Sequence, residues 1–93
     1  MLNWGILGAG GIARVFCNAM QFSTTGRMVA VASNNPQKAM EFATDFSLPK
    51  HYGSYEALLA DDSIDAVYIA NIPPMHRQWA VAAAQAGKHL LVE

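Results

Sequence analysis

Gly8-Ala9-Gly10-Gly11-Ile12-Ala13 follows directly on the short apolar run Asn3-Trp4-Gly5-Ile6-Leu7, and after it apolar residues recur as Ile12, Val15, Phe16, Ala19 and Met20. The run reads as a buried strand, and the spacing that follows predicts a helix burying that stripe. A glycine-rich turn in this setting has a defined physical job. Gly8 permits the tight turn, Gly10 lets the backbone come close to a pyrophosphate, and the third position, filled here by Ala13, packs helix against strand. The free N–H groups of Gly10, Gly11 and Ile12 point at phosphates from the positive end of the helix, so negative charge is held without a basic side chain.

The rest of the chain repeats the strand-then-helix alternation. Met28-Val29-Ala30-Val31-Ala32 is β-branched and apolar, and Asn35-Pro36 supplies an N-cap and a first helical position. The helix so started would bury Ala39, Phe42, Ala43 and Phe46 and stop at Leu48-Pro49. His51-Tyr52 is a minimal third strand, Ser54 caps a short helix through Tyr55, Leu58 and Leu59, and Asp61-Asp62-Ser63 breaks it. Residues 66–70 form the fourth strand. Pro73-Pro74 opens a helix with the stripe Met75, Trp79, Ala82, Ala83 and Ala86, which Gly87 closes before a fifth strand over residues 89–92. Strands alternating with helices predict an α/β domain over residues 1–93. Its architecture is a Rossmann-type, doubly wound parallel sheet of order 3-2-1-4-5 in three αβα layers.

Composition agrees with a sheet buried on both faces: of 93 residues, 53% are hydrophobic and 14% charged. A formal charge of −1 with no basic stripe excludes duplex nucleic acid as the expected partner. The single cysteine, Cys17, allows no internal disulfide and no cysteine-based zinc site, and reads as a small apolar residue rather than a nucleophile. The start of the chain lacks a basic region followed by an apolar run, and no apolar stretch approaches the ~20 residues a membrane helix needs. A cytoplasmic protein without membrane contact is expected.

At the end of the second strand, where an Asp or Glu would hold the ribose hydroxyls of NAD, the chain has Ser33-Asn34-Asn35. With no carboxylate to repel a 2′-phosphate, NADP is admitted beside NAD, and Ser33, Asn34 and Lys38 are candidate donors to it. Ser33 and Asn34 would equally serve as caps of the following helix.

Three blocks, the glycine turn, Val29-Ala30-Val31-Ala32-Ser33-Asn34-Asn35-Pro36-Gln37-Lys38-Ala39, and Ala86-Gly87-Lys88-His89-Leu90-Leu91-Val92-Glu93, resemble the N-terminal domain of the GFO/IDH/MocA oxidoreductases, the glucose-fructose oxidoreductase and inositol dehydrogenase relatives. The resemblance covers the whole chain. It implies a nicotinamide-dependent dehydrogenase or reductase acting on a sugar, polyol or related alcohol. It also implies that His76, after Asn71-Ile72-Pro73-Pro74-Met75, lies beside the cofactor; Asn71 stands where the family usually has Thr. Position 34 is Asn where the family often carries an Arg for the 2′-phosphate. Family members continue Glu-Lys-Pro, with the Lys acting on the substrate oxygen, and then add a substrate-binding domain. The sequence ends at Glu93, so a cofactor-binding domain lacking catalytic lysine and substrate domain is expected, with no catalytic residue of its own.

By position, Asn71, His76 and Glu93 complete the candidate cofactor set of Gly8, Gly10, Gly11, Ile12, Ser33, Asn34 and Lys38. The aspartates Asp61, Asp62 and Asp65 read as a solvated turn rather than a metal site. Two alternatives stand: a non-catalytic nucleotide-binding or interaction module, and, lower, a methyltransferase-like domain, which an acidic ribose-gripping residue would have favoured. Self-association is expected through an exposed sheet edge or the surface a second domain would cover.

Overall fold

The computed structural model describes residues 2–70 and 73–92, without the side chains of residues 73–77 and 92. Its elements are β1 (Leu2–Leu7), α1 (Gly11–Met20), β2 (Gly26–Ala32), α2 (Pro36–Phe46), β3 (Lys50–Tyr52), α3 (Tyr55–Leu59), β4 (Ala66–Ile69), α4 (Pro73–Gln85) and β5 (His89–Val92). All strand pairs are parallel, in the order β3-β2-β1-β4-β5. The chain therefore winds one way from β1 to β3 and the other way from β4 to β5. Right-handed crossovers then place α1 and α2 on one face and α3 and α4 on the other.

The side chains sort accordingly. Ile6, Val31 and Tyr68 pack with Ala13, Cys17, Ala39, Phe42 and Ala43 on the α1/α2 face. Leu7, Ala30, Ala32, Val67 and Ile69 pack with Tyr55, Leu58, Leu59, Trp79 and Ala83 on the α3/α4 face. One bulge interrupts the alternation: Trp4 pairs with Met28 but Gly5 with Ala30, so Val29 is an extra residue in β2. Val29 and Ala30 consequently join the same cluster although they are adjacent in the chain.

Three local expectations are corrected. Helix α1 does not bury the stripe of its large residues: Ile12 is 42% and Val15 64% exposed, while Ala13 and Cys17 face the sheet. The tight glycine turn brings the helix too close to β1 for bulky side chains to fit beneath it, and Phe16 instead stacks at its flank on Tyr68, 4.0 Å between ring centres. Ala86 lies past the end of α4 and is exposed. Asp61 is no solvated turn residue. Its side chain is 10% accessible, pairs with Lys50 Nζ at 2.9 Å, and accepts from Ser63 Oγ and the Tyr52 hydroxyl.

The ends of the elements follow local chemistry. Asn35 Oδ1 accepts from the N–H groups of Gln37 and Lys38 and Pro36 opens α2, as expected. Ser47, in the left-handed region at φ 56°, stops α2 one residue before Leu48-Pro49. Ser54 caps α3, and Gly87, at φ 77°, turns the chain out of α4. Burial pushes the Cys17 thiol up to about 11, which suits a core residue and not a nucleophile. Among the described residues, no helix is long and apolar enough to cross a membrane.

Candidate dinucleotide site

Open parallel sheets bind ligands at the carboxyl ends of their strands, where the winding direction reverses. Here the reversal lies between β1 and β4. Hydrogen bonds carry the sheet one residue beyond the strand ends: Gly8 N–H donates to the Ala32 carbonyl at 2.9 Å, Ala70 N–H to Leu7 at 2.9 Å, and Ser33 N–H to Tyr52 at 3.1 Å. The glycine turn is thus fastened to the end of β2, and the end of β1 to the residue following β4.

Within the turn the glycines differ. Gly8 is buried at φ 112°, a conformation side chains resist, so the backbone requires glycine there. Gly10, the N-cap of α1, has ordinary extended angles, and a Cβ placed on Gly10 or Gly11 would meet no protein atom within 4 Å. Neither residue is demanded by the protein's own packing. What they leave is open space over the first turn of α1, which has no side-chain cap and no acidic residue. The first-turn N–H groups of a helix lack intrahelical partners, and here they face that space from the positive end of the dipole. Ala13, fully buried, performs the packing expected of the third position.

At the end of β2, Ser33 Oγ accepts from Asn35 N–H at 3.1 Å and Asn35 caps α2, so Asn34 takes no part in the cap. Asn35 is the capping residue of α2, and Ser33 supports it through that hydrogen bond. Asn34 and Lys38 are exposed, and Lys38 makes no ion pair among the described residues. No carboxylate stands in the segment 33–38. Asn71 and Glu93 lie outside the described residues, as does the side chain of His76, although its backbone belongs to the first turns of α4.

A cluster that the sequence reading missed lies around Asp61. Lys50 and Tyr52, two apart on β3, share a side of the strand and both reach the Asp61 carboxylate. Lys50 and Ser63 beside Asp61 hold its carboxyl well below the usual carboxylate range, with Tyr52 adding to the effect. The same hydrogen bond, with burial and the nearby negative charge, pushes the Tyr52 hydroxyl up to about 12. Lys88, itself buried, donates to the carbonyls of Asp61 at 2.9 Å and Ile64 at 2.8 Å. The alternation of Lys50 and Tyr52 was the available signal. This cluster ties β3 and the start of β5 to the turn before β4. Among the described residues no group of His, Cys, Asp and Glu is assembled for a metal ion.

Residues 2–93 match the GFO/IDH/MocA oxidoreductases, described as an oxidoreductase family with an NAD-binding Rossmann fold. Among curated relatives, a D-xylose 1-dehydrogenase (NADP(+)) from Haloferax volcanii is 45% identical over 97% of this chain and 28% of its own length. The trans-1,2-dihydrobenzene-1,2-diol dehydrogenase of Mus musculus is 40% identical over 99% of this chain and likewise 28% of its length. Among solved structures, a 3-ketoreductase from Actinomadura kijaniata in complex with NADP and TDP-benzene superposes with a TM-score of 0.93 at 30% identity, over 98% of this chain and 28% of that one. The chain thus spans little more than a quarter of the length of these relatives.

Proposed function

The chain belongs to the GFO/IDH/MocA family of oxidoreductases, and on that premise we propose that it is the NADP-binding part of a dehydrogenase or reductase acting on a sugar, polyol or related carbonyl. The observation that carries the cofactor reading is the pair of glycines, Gly10 and Gly11, that the fold does not need and that leave the start of α1 open. In this reading the N–H groups of Gly10, Gly11 and Ile12 hold the pyrophosphate. Ser33, Asn34 and Lys38 receive the 2′-phosphate, and Asn71, His76 and Glu93 line the nicotinamide side.

Bound nicotinamide supplies hydride exchange at its C4. The residues of this chain supply orientation and charge: helix amides neutralise the pyrophosphate, and the exposed ammonium of Lys38 meets the extra phosphate of NADP. Support for NADP over NAD comes from the absence of a carboxylate in residues 33–38 and from Lys38 in the first turn of α2, exposed and without an ion pair among the described residues. The NADP named for the Haloferax dehydrogenase and the Actinomadura ketoreductase points the same way. The acid-base and substrate groups belong, on this reading, to the portion of the relatives' length that this chain does not span.

Titration of the chain with NADPH and NADH tests the assignment. NADPH is expected to bind at least tenfold more tightly, and Lys38→Ala to close most of that gap while leaving NADH affinity unchanged. Equal affinities in the unsubstituted chain, or a Lys38→Ala variant that loses both cofactors alike, would remove the 2′-phosphate role.

A further inference from the structure

Two features of the corner after β3 bear on the segment that follows β2. Ser33 N–H donates to the Tyr52 carbonyl at 3.1 Å, and one residue further on, a Cβ placed on Gly53 would stand 2.9 Å from Pro36 Cγ and 3.3 Å from Pro36 Cβ. Pro36 is the first residue of α2, and its ring closes onto its own backbone, so those atoms cannot swing aside as the end of a flexible side chain would. Gly53 has no positive φ and is exposed, so neither its backbone angles nor the core asks for glycine. Contact with Pro36 is what excludes a side chain there.

The segment between these two points is also fixed from within. Ser33 Oγ accepts from Asn35 N–H at 3.1 Å, and Asn35 Oδ1 accepts from the N–H groups of Gln37 and Lys38 at 3.1 and 3.3 Å. Residue 33 is thus tied to β3, residue 36 rests against Gly53, and the exposed residues Asn34 and Lys38 are carried on that frame. Strand β3 is itself anchored, since Lys50 Nζ and the Tyr52 hydroxyl both donate to the Asp61 carboxylate. A continuous run of contacts therefore leads from Asp61 through β3 to the start of α2.

We propose that Gly53 is a positioning residue for cofactor selection: by letting the chain after β3 pass directly against Pro36, it sets the place of Asn34 and Lys38 and so governs 2′-phosphate binding through them. This rests on the NADP reading given above. Hydrogen bonds to a phosphate tolerate little misplacement, so the groups that make them must be held in position by their neighbours. A methyl group at Gly53 would push the first turn of α2, which carries Lys38, away from β3. The glycine turn is fastened one residue before this segment, through Gly8 N–H to the Ala32 carbonyl, so the pyrophosphate site should stay where it is.

Titration of the parent chain, Gly53→Ala, Pro36→Ala and the double variant with NADPH and NADH tests this, with circular dichroism as the check on folding. Gly53→Ala is expected to weaken NADPH binding about tenfold, the order of one lost charge-assisted hydrogen bond, and to leave NADH affinity unchanged. The double variant, which lacks the Cγ that the new methyl would meet, should recover the NADPH affinity of Pro36→Ala alone; a Gly53 that touched the cofactor itself would show no such recovery. In cofactor-free Gly53→Ala, amide resonances should move at Asn34 and Lys38 and stay in place at Gly10 and Gly11. Full NADPH affinity in Gly53→Ala, equal loss of both cofactors, or no recovery in the double variant would overturn the proposal and leave the NADP reading standing. Equal affinities of the parent chain for NADPH and NADH would overturn both.

Discussion

Gly8 and Gly10 stand two positions apart and are glycine for different reasons. Gly8 holds a positive φ that the sharp exit from β1 imposes, whereas Gly10 has angles any residue adopts and empty space where a side chain would go. Gly8→Ala is therefore expected to lower stability by about 1–3 kcal/mol. Gly10→Ala should leave unfolding within about 1 kcal/mol of the parent and weaken dinucleotide binding at least tenfold, because its methyl occupies the space the phosphate needs. Chemical denaturation and cofactor titration on both variants separate the two effects; a Gly10→Ala variant with full affinity would show that the open space is not the binding surface. The turn itself was legible in the sequence because strand, glycines and helix occur in sequence there. The distinction between its glycines was not, because it depends on a backbone angle and on what surrounds a missing Cβ.

Elements were read well where one local rule governs them. Asn35-Pro36 and Ser54 start helices and Gly87 ends one because capping is decided by a few adjacent residues. The buried face of α1 was misread because periodicity alone favoured its large residues, while the closeness of helix and strand selects Ala13 and Cys17. The Asp61 cluster was missed for a related reason: the alternation of Lys50 and Tyr52 puts both on one side of β3, but their meeting with Asp61 is a contact between β3 and the turn before β4 that depends on the fold. That cluster has a pH signature. Because its partners lower the folded-state pKa of Asp61, its contribution to stability is fully present above the unfolded carboxylate value, ~4, and is lost as pH falls below it. Asp61→Asn should destabilise the fold by about 1–3 kcal/mol at neutral pH and flatten the decline in stability below pH ~4. Thermal melts across that range would show an unchanged decline if Asp61 were not the group responsible.

For the molecule as a whole, topology turns these local features into one site. Reversal of winding between β1 and β4 gathers the glycine turn, the end of β2 and the start of α4 at the carboxyl end of the sheet. That architecture was readable from the alternation of strands and helices, and the order β3-β2-β1-β4-β5 follows from right-handed crossovers. Cofactor preference was less legible, since Ser33 and Asn34 suited either a cap or a phosphate; the structure gives the cap to Asn35, with Ser33 bonded to its N–H. Family membership makes this an NAD-binding Rossmann fold of an oxidoreductase family, and the chain spans about 28% of the length of relatives such as the Haloferax dehydrogenase.

Binding of a nicotinamide dinucleotide's pyrophosphate at the β1–α1 turn can be read from the backbone amide resonances of the chain during titration with NADPH. Saturable shifts are predicted, largest at the amides of Gly10, Gly11 and Ile12, with a second group at Ser33, Asn34 and Lys38 that NADH reproduces only weakly. No shifts at millimolar NADPH, or shifts confined to residues away from the glycine turn, would contradict it.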